Sequence, residues 1–137
     1  MNIEIKWEYT GEGEESLGFS RVLYAYLHPG TSDILYIGKA DHCTVKERLF
    51  GAHKEEIFEE MVRNFGITEL HTIVGVLYVP ENRRYSSELL ADIESLLIVK
   101  VQPSYNIQSR KSRISRPGLE IRCIGEWPHV REHFVDG

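Results

Sequence analysis

The stretch LYIGKADHCTVKERLFGAH, residues 35–53, begins as an apolar, aromatic run and within ten positions becomes a charged segment with helical spacing. Leu35, Tyr36 and Ile37 have the branched and aromatic make-up of a strand. Thr44 followed three residues later by Glu47 is a capping box, the signature of a helix start. A strand therefore turns into a helix over a few residues, and Tyr36, Lys39, Arg48 and His53 are drawn around that corner.

Reading outward, RVLYAYL (21–27) is a second aromatic and β-branched run. It is joined to ILYIG (34–38) by HPGTSD, whose Pro-Gly and Ser-Asp pairs are turn chemistry. Two strands with a short polar connection predict a hairpin carrying Tyr24 and Tyr36. Downstream, TVKERLFGAHKEEIFEEMVRNFG predicts two helices, or one broken near Gly51, stopping at Gly66. ELHTIVGVLYVP (69–80) reads as a strand ended by Pro80. RRYSSELLADIESLLIVKVQP has apolar residues at 89, 90, 93, 96, 97 and 101, close to a helical stripe, and stops at Pro103. NIEIKWEY (2–9) alternates like a half-exposed strand, LEIRCIG (119–125) is a last strand, and Pro128 is placed to open a short terminal helix. GEGEESLG and RKSRISRPG read as loops. The expectation is one α/β (α+β) domain over residues 1–137, a small antiparallel sheet flanked by helices.

Composition narrows the function classes. A chain of 137 residues can build one core without disulfides or a structural metal, and it leaves no room for a second domain. No apolar run approaches the roughly 20 residues that cross a bilayer, and no basic patch precedes an apolar segment at the start, so an intracellular, cytoplasmic protein is expected. Cys43 and Cys123 are at no metal-ligand spacing and read as ordinary thiols. A formal net charge of -5 argues against coating nucleic acid by bulk electrostatics. The charge is uneven, however. Residues 1–20 carry five Glu against one Lys, whereas residues 100–122 carry Lys100, Arg110, Lys111, Arg113, Arg116 and Arg122 against Glu120 alone.

Taken singly, the chemistry-bearing residues have ordinary explanations. Tyr24 and Tyr36 are cross-strand packing, Arg48 a surface partner, Glu94 a helical residue between Ile93 and Leu96, and Asn106 a turn residue after Pro103. Their order and spacing say more. VLY with Tyr24, YIGKA with Tyr36, Gly38 and Lys39, KERL with Arg48 ten residues past Gly38, Glu94 on a later helix, and QPSYN with Asn106 follow one another over residues 21–108. In these elements the chain resembles the GIY-YIG nuclease family, with VLY standing for GIY. It is most similar to the incision domain of nucleotide-excision-repair nucleases, which have a similar YxGKA and QPxYN.

The resemblance implies a metal-dependent endonuclease that hydrolyses phosphodiester bonds in DNA. Such chemistry requires an activated water, neutralisation of phosphoryl charge and a proton for the leaving oxygen. Glu94 would hold one Mg²⁺ or Mn²⁺, and Arg48 offers a planar fork for phosphoryl oxygens. Tyr24 ranks first and Tyr36 second as the group that assists the attacking water. Lys39, Asn106, Arg110, Lys111 and Arg113 are the candidate substrate contacts, and the Asn106 amide could instead orient the site by hydrogen bonds. One departure concerns the position four residues after Arg48, where family members have His or Tyr and this chain has Ala52. His53, one residue later, is rotated by about 100° on a regular helix, unless Gly51 distorts the turn and brings it back. One such centre cuts one strand, so double-strand cutting is left to a homodimer or to sequential nicking, and specificity to the terminal extensions, a partner protein or the structure of the substrate. The rival expectation is a catalytically weak nucleic-acid-binding or adaptor module of the same fold.

Overall fold

The computed structural model of the chain describes residues 1–10, 18–49, 52–66, 71–106 and 116–136. The elements are β1 (Asn2–Thr10), β2 (Val22–Leu27), β3 (Ile34–Ala40), α1 (Val45–Leu49), α2 (Ala52–Phe65), β4 (His71–Tyr78), α3 (Ser87–Val101), β5 (Glu120–Gly125) and β6 (His133–Val135). The strands form one sheet in the order β3-β2-β4-β1-β5-β6.

Two features differ from the expectation. The sheet is mixed, because β1 and β5 run parallel while the other pairs are antiparallel. A parallel pair needs a long crossover, and the whole chain from β2 to α3 lies between these two strands. No helix follows Pro128. The chain turns, Trp127 Nε1 donating to the Arg131 carbonyl at 2.8 Å, and returns as β6 with Phe134 buried between exposed His133 and Val135. That alternation is a strand's.

The helices form where their caps are written. Thr44 N–H donates to Glu47 Oε1 at 3.1 Å and Glu47 N–H donates to Thr44 Oγ1 at 3.2 Å, completing the capping box of α1. At α3 the N-cap is Ser86, whose hydroxyl accepts from Leu89 N–H at 3.0 Å. Gln102, left-handed at φ 58°, ends α3 directly before Pro103.

Alternation along β1 drives Ile3, Ile5 and Trp7 inward and leaves Glu4, Lys6 and Glu8 outside. Those inward residues, with Leu23, Ala25, Ile37 and Ile73, pack against Leu89, Leu90, Ile93, Leu96 and Leu97 of α3. On the opposite face Val22, Tyr24, Tyr26 and Val74 meet Val45 of α1 and Ile57 and Met61 of α2. β2 lies between the two layers and is buried along its whole length. Burying one such large apolar side chain contributes about 1.5–3 kcal/mol. Among the described residues, no helix is long and apolar enough to cross a membrane.

Trp7 fixes the packing of the central strands. Its ring stacks on Trp127 with centroids 5.1 Å apart, and the buried Cys123 thiol beside it is pushed up to about 12 by desolvation. Gly75, opposite Trp7 in the ladder, makes the space. A Cβ there would come within 2.7 Å of Ile5 Cγ2 and 2.9 Å of the indole. Gly75→Ala is expected to destabilise the protein by about 1–3 kcal/mol through overpacking. Urea unfolding checks this, and an unchanged midpoint would mean that the indole can withdraw without cost.

Candidate active site

β2 and β3 gather three phenols. In their register Tyr24 faces Gly38 and Tyr26 faces Tyr36, so all three rings share the face that α1 and α2 cover. Ring centroids are 5.7 Å apart for Tyr24 and Tyr26, 5.5 Å for Tyr26 and Tyr36, and 6.2 Å for Tyr24 and Tyr36. Tyr24 and Tyr26 are each 1% exposed, whereas Tyr36 is half-buried. Tyr26 packs, as its place on the strand predicts. Gly38 is required by a close approach, since a Cβ there would lie 2.5 Å from both Cζ and Oη of Tyr24. The absent side chain lets the Tyr24 phenol lie across the edge strand.

Two charges converge on this cluster from separate elements. Arg48 is exposed on α1, three residues after Val45, which is buried among the tyrosines. Glu94 is half-buried on α3, next to Ile93 in the core. Burial is the main cause that holds the Tyr24 and Tyr36 phenols above their ordinary pKa. The Glu94 carboxylate raises both further, and the Arg48 guanidinium draws both down. A side-chain hydrogen bond from Tyr24 also lowers Tyr36, as expected for an oxygen that accepts it. Arg48 and Glu94 thus both lie within electrostatic reach of the Tyr24 and Tyr36 phenols. Of the two tyrosines expected to assist the water, Tyr24 is the buried one and Tyr36 the more accessible.

Asn106 has a different task from the substrate contact expected of it. It is 6% exposed, its Oδ1 accepts from Ile37 N–H at 2.8 Å, and its Nδ2 donates to the Ile37 carbonyl at 2.8 Å. Tyr105 N–H donates to the Leu35 carbonyl at 2.8 Å. These residues satisfy the outer edge of β3 in place of another strand. Lys39, paired with Leu23, lies on the α3 side of β3, opposite the face of Tyr36, and its charge acts on Asp41.

Arg110, Lys111 and Arg113 lie outside the described residues, as does the side chain of His53. α1 ends at Leu49 and α2 begins at Ala52, and Gly51, on which the expected distortion rests, also lies outside the described residues. The sequence reading missed Arg116, which looked like part of a basic loop. Its Nε donates to Asp92 Oδ2 at 2.6 Å, and its N–H donates to the Asp136 carboxylate. The signal was Asp92 itself, a carboxylate inside an apolar helical stripe and 6% exposed, which demands a buried partner.

Among the described residues, no group of three or more His, Cys, Asp or Glu could hold a metal ion. A lone carboxylate such as Glu94 suits a hard cation that keeps most of its waters and takes other oxygens from a phosphate, as Mg²⁺ does. No protein-family model, curated protein or solved structure matches the chain.

Gly38→Ala should cost about 1–3 kcal/mol of stability, because the buried Tyr24 ring has nowhere to retreat. It should also break the hydrogen bond between Tyr24 and Tyr36. Chemical denaturation together with the ultraviolet titration of the tyrosines reads both effects; a wild-type titration would show the phenols undisturbed.

Proposed function

We propose that this chain is a metal-dependent endonuclease of the GIY-YIG type that hydrolyses phosphodiester bonds in DNA. The observation that supports this reading is the convergence of Tyr24, Tyr36, Arg48 and Glu94, from a hairpin and two helices, on one place at the sheet edge. A structural packing cluster needs neither the guanidinium nor the carboxylate. Phosphodiester hydrolysis needs both, one for the phosphoryl oxygens and one for the cation. Arg48, exposed and permanently charged, would hold the phosphate and stabilise the charge that develops on it. When bound at Glu94, a Mg²⁺ or Mn²⁺ ion would neutralise phosphate charge and lower the pKa of an attacking water.

The tyrosines work as neutral groups. Both phenols are held protonated at pH 7 by burial and by Glu94, so neither is a ready base. Tyr36 would orient the attacking water by hydrogen bonding, and Tyr24 would fix the Tyr36 oxygen by donating to it. The same protonated phenols favour the second reading, a catalytically weak DNA-binding or adaptor module of this architecture. With a single centre per chain, cutting both strands would take a homodimer, a partner or two successive nicks.

Two measurements decide. Incubation of supercoiled plasmid and of flap, junction and single-stranded DNAs with Mg²⁺ or Mn²⁺ should give nicking by the wild type and none by Glu94→Ala. Equal rates would remove Glu94 from the chemistry, and binding without cutting by either would leave the adaptor. Tyr36→Phe should slow cutting by the same factor at pH 7 and pH 9, because a neutral phenol acts throughout. A deficit growing about tenfold per pH unit would instead show that the phenolate is the working species.

A further inference from the structure

Asp41, Tyr85, Ser87 and Arg21 form a polar cluster that the proposed chemistry does not use. Tyr85 Oη donates to Asp41 Oδ1 at 2.6 Å, and Ser87 donates a second side-chain hydrogen bond to the same carboxylate. The Arg21 guanidinium lies 5.5 Å from the centroid of the Tyr85 ring. Arg21 has φ 59°, a left-handed conformation that a non-glycine residue keeps only where its surroundings enforce it. The Asp41 side chain is 11% exposed, too enclosed to be a solvated surface acid.

The cluster sits where three site-bearing elements end. Arg21 directly precedes β2, Asp41 directly follows β3, and Tyr85 and Ser87 flank the N-cap of α3. Ser87 and Glu94 are seven residues apart, about two helical turns, so they share one side of α3 roughly 10 Å from each other. Asp41 lies three residues past Gly38, also about 10 Å along an extended strand. Helix and strand are thus tied at one end, and farther along both the Glu94 carboxylate acts on the Tyr24 and Tyr36 phenols. Toward the start of β3, Asn106 and Tyr105 hold Ile37 and Leu35. Apolar packing holds α3 against the sheet, and the two polar ties bracket that packing at either end, where they set the register of helix against strand.

We propose that Asp41 is a positioning residue which, through Tyr85 and Ser87, sets α3 on β3 and so places Glu94 relative to Tyr36 and Arg48. This rests on reading the site as a Glu94-dependent nuclease. A capping role does not account for Asp41, because Ser86 already caps α3. The carboxyl is held below the usual range by the Ser87 and Tyr85 hydrogen bonds, with smaller contributions from His42 and Lys39, so it is charged at neutral pH.

The test compares Asp41→Ala, Asp41→Asn and Tyr85→Phe with the wild type and Glu94→Ala, well below each variant's Tm. It records kcat and KM for a DNA substrate, and the Mn²⁺ concentration at half-maximal rate. Asp41→Ala and Tyr85→Phe should lose about ten- to a hundredfold in kcat, the scale of a displaced catalytic group. They should need several times more Mn²⁺, with KM within about twofold of wild type. Asp41→Asn keeps an acceptor oxygen and should recover most of the rate. If Asp41→Ala does not fold, Tyr85→Phe, which loses one hydroxyl, decides. Wild-type kcat and Mn²⁺ dependence in the variants, or a change confined to KM, would overturn the proposal while the nuclease stands. A wild type that fails to cut, or that cuts without Glu94, overturns the nuclease reading and this proposal with it.

Discussion

An edge strand leaves one side of its backbone unpaired, and here the edge strand β3 carries Tyr36 and the glycine over which Tyr24 lies. Everything at the site depends on how that open side is satisfied. Asn106 supplies one acceptor and one donor, spaced to fit the N–H and the carbonyl of a single residue, Ile37. The match specifies register as well as energy. A slip of one residue would turn Tyr36 to the α3 side and bring Ile37 to the tyrosine side. It would also leave a buried amide without its partners, at about 1–3 kcal/mol for each unsatisfied group. The turn after α3 therefore does more than end a helix, since it indexes the strand on which the phenols are arranged.

Packing and reactivity pull in opposite directions within the tyrosine cluster. Close burial fixes the rings and gives Tyr36 a defined hydrogen-bond partner, but it also makes the phenolate costly. Glu94 adds to that cost and Arg48 relieves part of it, so the two charges oppose each other at the same oxygens. On the nuclease reading this opposition has a use. A divalent cation at Glu94 would reverse the sign of the nearest unfavourable charge. The site would then be electrostatically balanced only with its ion and substrate in place, and catalysis would rest on placement of neutral groups.

Where local chemistry dictates local structure, the sequence was legible. The Thr44 and Glu47 capping box, the alternation of β1 and the hairpin turn each formed as read. The three residues of β6 alternate too briefly to stand out in the sequence against Pro128, which suggested a helix start. Parallel pairing of β1 with β5 leaves no local mark, because a half-buried strand alternates in the same way whichever direction its neighbour runs. The face of Lys39 was legible as well, since period-two alternation separates it from Tyr36 and Gly38. For Asn106 the sequence allowed two readings, since the same amide in the same turn could face a phosphate or hydrogen-bond within the fold, and only the tertiary contact with Ile37 separates them.

Charge shows the same distinction between a residue's type and its use. Arg116 belongs to the most basic stretch of the chain, yet its guanidinium is spent on Asp92 inside the fold. On the uncovered half of the sheet Lys6 lies 3.4 Å from Glu8, Arg122 sits beside Glu4 in the ladder, and His133 lies 3.4 Å from Glu120. Among the described residues, that face offers a mixture of signs to a phosphate backbone and no cationic stripe. The exposed guanidinium of Arg48, set against the half-buried phenol of Tyr36, is a different kind of feature. With a net charge of -5, attraction at long range cannot supply the affinity, and few phosphate contacts release few counterions. A nuclease built this way would bind DNA through the few groups gathered at the β3 edge, by hydrogen bonding and local charge and not by a broad basic surface.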